Sequence, residues 1–186
     1  MIFVVWIVIG IVVIAILFSI STYNRLVGLR QRLQNAWSQI DVQLKRRYDL
    51  IPNLVNTVKG YAAHEKETFE NVTKARSMAM QAGDINEQAG AEDMLTGALK
   101  SLFAVAESYP ELKADANFRQ LQNELANTEG QIASSRQAYN QAVMNFNTAI
   151  QRFPTVLVAG MFGFHQENYF NLDEEPASRE AVKVEF

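Results

Sequence analysis

Residues 115–152 read DANFRQLQNELANTEGQIASSRQAYNQAVMNFNTAIQR, and the spacing of their apolar side chains predicts a long helix. Phe118, Leu121, Leu125, Thr128, Ile132, Ser135, Tyr139, Ala142 or Val143, Phe146 and Ile150 recur close to every three and four positions. About five heptads of such spacing imply a seam packed against other helices. Asp115 is placed to cap the first turn. Phe153-Pro154 ends the segment, because a proline disfavours helical backbone in the residue before it.

Working toward the C-terminus, Val156, Leu157, Val158, Ala159, Met161, Phe162 and Phe164 form an apolar run broken by Gly160 and Gly163. At roughly ten residues it is too short to cross a bilayer. It is expected to pack on the helices; contact with a membrane or a neighbouring subunit is the sharper alternative. The tail, 171–186, carries Asp173, Glu174, Glu175 and Pro176 and reads as acidic, solvated and mobile.

Working toward the N-terminus, a second helix is expected from about Asn86 to Glu107, with Ala91, Leu95, Ala98, Leu102, Phe103 and Val105 on its apolar face. Tyr109-Pro110 closes it. Before it runs a first helix of about 55 residues, with Leu26, Leu29, Leu33, Trp37, Ile40 and Leu44 as its stripe. The stripe continues through Ile51, Leu54, Val55, Val58, Tyr61, Phe69, Val72 and Met78. Pro52 predicts a kink or a restart near Tyr48–Pro52, with Asp49 as a cap. Gly83, in Gln81-Ala82-Gly83-Asp84, is expected to end the helix in left-handed conformation.

The outermost stretch, Met1 to Phe18, reads MIFVVWIVIGIVVIAILF, and the first charge is Arg25. About 20 helical residues cross the ~30 Å hydrocarbon core. A cleaved signal would show a basic start and a small-x-small cleavage site. No Lys or Arg precedes this run, and Ser19-Ile20-Ser21-Thr22-Tyr23 lacks Ala-x-Ala, so an uncleaved anchor is expected. Arg25, Arg30 and Arg32 follow the span, with Lys45, Arg46 and Arg47 beyond them. The excess of basic residues places the N-terminus outside and the helical domain in the cytoplasm. The fold expected is all-α: a single transmembrane helix (1–22), a long antiparallel bundle of three to four coiled-coil-like helices (23–170), and the tail (171–186).

Composition excludes more than it assigns. The 186 residues contain no cysteine, which removes thiolate metal sites and cysteine nucleophiles. A net charge of −3 with both signs interspersed argues against nucleic acid as a partner. The two histidines, His64 and His165, form no His-Glu-x-x-His, and no Gly-x-Ser-x-Gly or phosphate-cradling glycine loop occurs. His64-Glu65 reads as the surface of a helix, and Asp173-Glu174-Glu175 as a solvated acidic cluster rather than a cation site. No catalytic, cofactor-binding or metal-ligating residue is therefore assigned, and no cofactor is expected.

Lys45-Arg46-Arg47 reads as a solvated face or as ion pairs with Asp41 and Asp49, or alternatively as a subunit contact that recognises acidic residues on a neighbour; Trp37 reads as core. Between Asp115 and Arg152 stand twelve Asn or Gln residues (117, 120, 122, 123, 127, 131, 137, 140, 141, 145, 147, 151) against six charged ones. A solvated helix face usually favours Lys and Glu. Amides bond across helices without the desolvation cost of a charge, so part of this face is a candidate lateral interface between subunits.

Taken together, these segments resemble the bacterial LemA family. The resemblance rests on Tyr23-Asn24-Arg25-Leu26-Val27, on the run from Ala36-Trp37 through Asp41, Lys45-Arg46-Arg47-Tyr48-Asp49-Leu50-Ile51-Pro52-Asn53-Leu54, and on Val58-Lys59-Gly60-Tyr61 with His64-Glu65. Tyr109-Pro110-Glu111-Leu112-Lys113-Ala114 extends it, as do Phe118, Leu121, Leu125, Glu129, Ile132, Arg136, Tyr139-Asn140 and Asn145, up to Phe153-Pro154 and Gly163-Phe164. It covers essentially the whole chain. What it implies is a protein with one N-terminal span and a helical bundle, without established enzymatic activity and without catalytic residues to carry over. The magnetosome protein MamQ belongs to the same broad group, which implies a role in shaping membranes. Family members encoded near membrane-bound proteases imply instead envelope stress or quality control. Two functions are thus expected to compete. One is a scaffold that self-assembles as a homo-oligomer and organises or remodels the cytoplasmic membrane. The other is an adaptor that recruits a membrane protein, such as a protease or sensor kinase.

Overall fold

A computed structural model describes residues 1–170. The tail expected over 171–186, with Asp173, Glu174 and Glu175, lies outside the described residues. Among the described residues the fold is all-α, with six helices and no strand: α1 (Ile2–Lys59), α2 (Lys66–Gln81), α3 (Ile85–Glu107), α4 (Pro110–Ala114), α5 (Ala116–Gln151) and α6 (Thr155–Met161). The chain divides into two compact units. Among the described residues, one comprises Met1–Gln39 with Ser135–Asn168, the other Ile40–Ser134 with Tyr169 and Phe170.

In the first unit the packing of α1 on α5 follows the predicted stripes. Leu26, Leu33 and Ala36 are buried on α1, and Tyr139, Val143, Phe146 and Ile150 on α5. The direction can be read from aromatic contacts. Trp37 meets Tyr139 edge-on with ring centroids 5.5 Å apart. Tyr23, fourteen residues earlier on α1, meets Phe164 at 5.8 Å, and Phe164 in turn meets Phe146 at 6.3 Å. Rising numbers on α1 thus pair with falling numbers on α5, so these segments are antiparallel. Trp37 is partly buried, as a core edge residue.

In the second unit, Ile40, Leu44, Ile51, Leu54 and Val58 of α1 are buried, with Phe69 and Val72 of α2, Leu95 and Leu102 of α3, and Phe118, Leu125 and Ile132 of α5. Asp115 caps α5 as its position predicts: its Oδ1 accepts from the backbone N–H of Phe118 at 2.8 Å. Asp84 caps α3 by accepting from Asn86 and Glu87 N–H, both at 2.8 Å. Glu87 reaches back to the N–H of Gly83 at 3.0 Å, a reciprocal arrangement one residue displaced from a capping box.

Three local expectations are corrected. The helix does not restart at Pro52; α1 runs through it to Lys59. A proline here leaves the Tyr48 carbonyl without its i+4 donor. The Arg76 Nε of α2 donates to that carbonyl at 2.8 Å, so the freed acceptor is satisfied by tertiary contact. The break falls instead between Gly60 and Glu65, which divides the expected 55-residue helix into α1 and α2. There Gly60 and Tyr61 donate to carbonyls three residues back, tightening the last turn. Gly83 is not left-handed: among the described residues the one glycine with positive φ is Gly163, at 69°.

Candidate membrane-facing surface

None of the first eighteen residues of the chain, sixteen of them large and apolar, is buried, although their mean hydropathy over an 18-residue window reaches 3.2. Side chains from Ile2 to Leu17 are all exposed; Phe3 is 80% exposed and Trp6 68%. A soluble protein leaves apolar residues exposed singly, not around the whole circumference of a helix five turns long. Helical backbone satisfies its own N–H and C=O groups, which is the requirement for immersion in hydrocarbon. This surface fits a membrane anchor.

Tyr23, which follows this run, carries the kind of amphipathic ring that favours the headgroup level of a membrane. Its ring lies 4.8 Å from that of Phe162, just past α6. Val12, Ala15, Ile16, Ser19, Ile20 and Tyr23 on one side and Met161 and Phe162 on the other line an apolar groove of about 450 Å³. The segment after α6 is fixed to α5 from behind. Asn147 donates to the Glu167 carbonyl and accepts from its N–H, both at 2.9 Å. The Tyr139 hydroxyl donates to the Asn168 carbonyl at 3.0 Å. Burial, with the Glu167 carboxylate as a smaller contributor, pushes the Tyr139 hydroxyl up to about 12.

The second unit holds a polar cluster in its core. Arg47 is 2% exposed and Glu92 fully buried. Arg47 Nη1 donates to Glu92 Oε2 at 2.9 Å, and Nη2 donates to Thr96 Oγ1 at 2.7 Å. The other carboxylate oxygen, Oε1, accepts from the Tyr48 hydroxyl and from Gln88 Nε2, the latter at 3.1 Å. Glu129 approaches Arg47 Nη1 at 3.4 Å from a half-exposed position. Burial first, and then the bond to the negative Glu92, raise the Tyr48 hydroxyl well above its ordinary value. The cluster joins α1, α3 and α5 and satisfies both carboxylate oxygens, which is what a buried ion pair needs to be tolerated.

The residues singled out by sequence are dispersed. His64 lies in the turn between α1 and α2 rather than on a helix, and His165 follows α6; both are exposed. Among the described residues no group of three or more His, Asp or Glu could hold a metal. Lys45 and Arg46 are exposed, but Arg47 is neither solvated nor paired with Asp41 or Asp49. Helical rotation turns the third of three consecutive basic residues inward, where a glutamate 45 positions away receives it. Of the twelve amides of α5, ten are exposed and Asn140 is partly buried. Asn147 is withdrawn from that face by its clasp on Glu167. Neither Glu92 nor Tyr48 was assigned a role from sequence, since no local spacing links them.

The profile of the LemA family matches residues 36–186. Magnetosome protein MamQ of Magnetospirillum gryphiswaldense is 26% identical over 181 residues, a match covering 83% of this chain and 66% of that protein. Magnetosome protein MamQ 2 of Paramagnetospirillum magneticum is 27% identical with the same coverage. Protein LemA of Metamycoplasma hominis is 30% identical over 156 residues, covering 81% of this chain and 69% of that protein. The chain therefore spans 66% of the length of these MamQ relatives.

Proposed function

The chain belongs to the LemA family, and from that premise we propose that it is a non-enzymatic scaffold, held in the bacterial cytoplasmic membrane by residues 1–22, that self-assembles and organises or remodels that membrane. The observation that carries the reading is the exposed, uncharged helix surface from Ile2 to Leu17, on the same helix, α1, that continues to Lys59. Arg25, Arg30 and Arg32 just past the span favour a cytoplasmic domain and an external N-terminus. Relatives named as magnetosome proteins support a membrane setting.

Self-assembly is supported by the amide-rich outer face of α5, where Gln131, Gln137, Gln141 and Asn145 stand exposed with few charges between them. Such a face can bond to a like face at low desolvation cost. The test is particle mass after mild detergent extraction, by light scattering with electron microscopy of the same peak. A mass many times 21.0 kDa is expected, and Gln131→Lys with Gln141→Lys is expected to reduce it severalfold. A wild-type monomer or dimer refutes self-assembly; an unchanged particle in the double variant refutes this face as its interface.

One observation favours a second reading, an adaptor. In the second unit, α2 and α3 frame a groove of about 620 Å³ that includes Met78 and Met94, with Ala75, Gly97 and Ala98 between them. Both methionines are more than two-fifths exposed. Exposed methionines beside small residues suit a partner's helix. Crosslinking from Met94 in cells to a second membrane protein would support it.

A further inference from the structure

We propose that residues 153–162 are a second membrane-seated element, a short helical wedge whose outer face dissolves in acyl chains beside the anchor. The proposal rests on the reading of residues 1–22 as a membrane span.

The sequence from Phe153 to Phe164 contains no charged side chain, and Thr155 carries its one hydroxyl. The helix it forms has two unlike faces. Val158 and Ala159 are buried against the first unit, 4% and 2% exposed. The opposite face carries Leu157 at 60% and Met161 at 78% exposure, with Phe153 at 81% just before the helix and Phe162 at 54% just after it. A surface helix in water shows polar residues on its outer face. Here both faces are apolar, the pattern of a helix without an aqueous side.

The placement of α6 states its depth. Met161 and Phe162 share a groove with Val12, Ile16 and Ile20, residues inside the span. From Tyr23 at the headgroup level to Val12 the helix rises about 16 Å, so this groove reaches well into the hydrocarbon. Phe162, whose ring lies 4.8 Å from that of Tyr23, sits at its shallow end, and Met161 lines the groove with it. The exposed face of α6 thus continues the lipid-facing surface of the anchor, and acyl chains are the occupant that already covers the rest of that surface.

Backbone bonding meets the same demand. In hydrocarbon no water replaces a missing partner, so every N–H and C=O must be satisfied within the protein. Pro154 has no N–H. Val156 donates to the Arg152 carbonyl at 2.8 Å, Leu157 to Pro154 at 3.2 Å, and Phe162 to Val158 at 3.1 Å. Gly163, at φ 69°, turns the chain so that Phe164 donates to the Ala159 carbonyl at 3.0 Å. That six-to-one bond closes the helix end internally.

The chain has no cysteine, so single-cysteine variants report one position each. Leu157→Cys and Met161→Cys, with Ile9→Cys as the span reference and Glu107→Cys, exposed at the end of α3, as the aqueous reference, are nitroxide-labelled and reconstituted as full chains in phosphatidylcholine–phosphatidylglycerol vesicles. Circular dichroism first confirms that each variant keeps its helix content. Collision with oxygen, which concentrates in lipid, is compared with collision with a water-soluble nickel chelate. The expected result is that the labels at 157 and 161 favour oxygen, as at 9, and meet nickel severalfold less than the label at 107. If 157 and 161 meet nickel as freely as 107 while 9 does not, the wedge is refuted and the anchor stands. If 9 itself meets nickel freely, the anchor reading fails and takes the wedge with it. Labels shielded from both reagents, with dipolar broadening that disappears on dilution with unlabelled chain, would overturn lipid as the occupant in favour of a second copy.

Discussion

Removing the Glu92 carboxylate tests whether the buried cluster, and not only the apolar stripes, holds the second unit together. In Glu92→Ala, Arg47 keeps its charge in a site 2% exposed but loses the partner at 2.9 Å. The Tyr48 hydroxyl and Gln88 Nε2 lose their shared acceptor at the same time. Breaking a buried pair by deleting one partner costs roughly 3–5 kcal/mol. Two features pull the value toward the lower end. Thr96 still accepts from Nη2 at 2.7 Å, and Glu129, 3.4 Å from Nη1, can move closer because it is half exposed. About 3 kcal/mol is expected, equivalent to about 6–12 °C in melting midpoint for a chain of this size. The assay is thermal unfolding followed by far-ultraviolet circular dichroism in detergent. Two companion variants sharpen it. Glu129→Ala should cost less than about 1 kcal/mol, since its pair is solvent-screened. Arg47→Met combined with Glu92→Leu should recover most of the loss, because two apolar groups leave no orphaned charge. A midpoint for Glu92→Ala within about 2 °C of the wild type, or a double variant no better than the single one, would refute the reasoning.

Two further outcomes are expected. Asp84→Ala removes an acceptor holding two N–H groups at 2.8 Å and should cost about 1 kcal/mol; faster hydrogen exchange at Asn86 and Glu87 checks it, and unchanged exchange counts against the cap. Above pH 10 the protein should lose stability, because burial raises Tyr48 and pushes Tyr139 up to about 12 from the ordinary value of 10.0. In that window the folded state holds protons that the unfolded chain releases, so the unfolding free energy is full below pH 10 and falls as pH rises toward 12. Absorbance at 295 nm should show these two of the six tyrosines ionising only as helical signal is lost; six tyrosines titrating near pH 10 in an intact fold would contradict it.

The anchor and the long helices were legible because they depend on local pattern. An uncharged run of eighteen residues and a stripe at three-four spacing are statements about one face of one helix, and burial at Leu26, Leu33, Ile40, Leu44, Ile132, Tyr139 and Phe146 follows them. Asp115 was legible as a cap for the same reason, since its partner is three residues away. Pro52 misled because its consequence is not local: the acceptor it frees is satisfied by Arg76, on another helix. Gly83 misled because Asp84 and Glu87 organise the junction through side chains, so no left-handed residue is required.

By itself, the sequence determined an all-α protein with an N-terminal helix too apolar for water, because periodicity and hydropathy are properties of consecutive residues. The tertiary structure decided which member of Lys45-Arg46-Arg47 goes inside, which amide of α5 is withdrawn from its outer face, and where residues 153–162 lie against the anchor. Each of these depends on partners 20 to 150 positions away, and only packing brings them within the 3 to 5 Å at which hydrogen bonds and apolar contacts act.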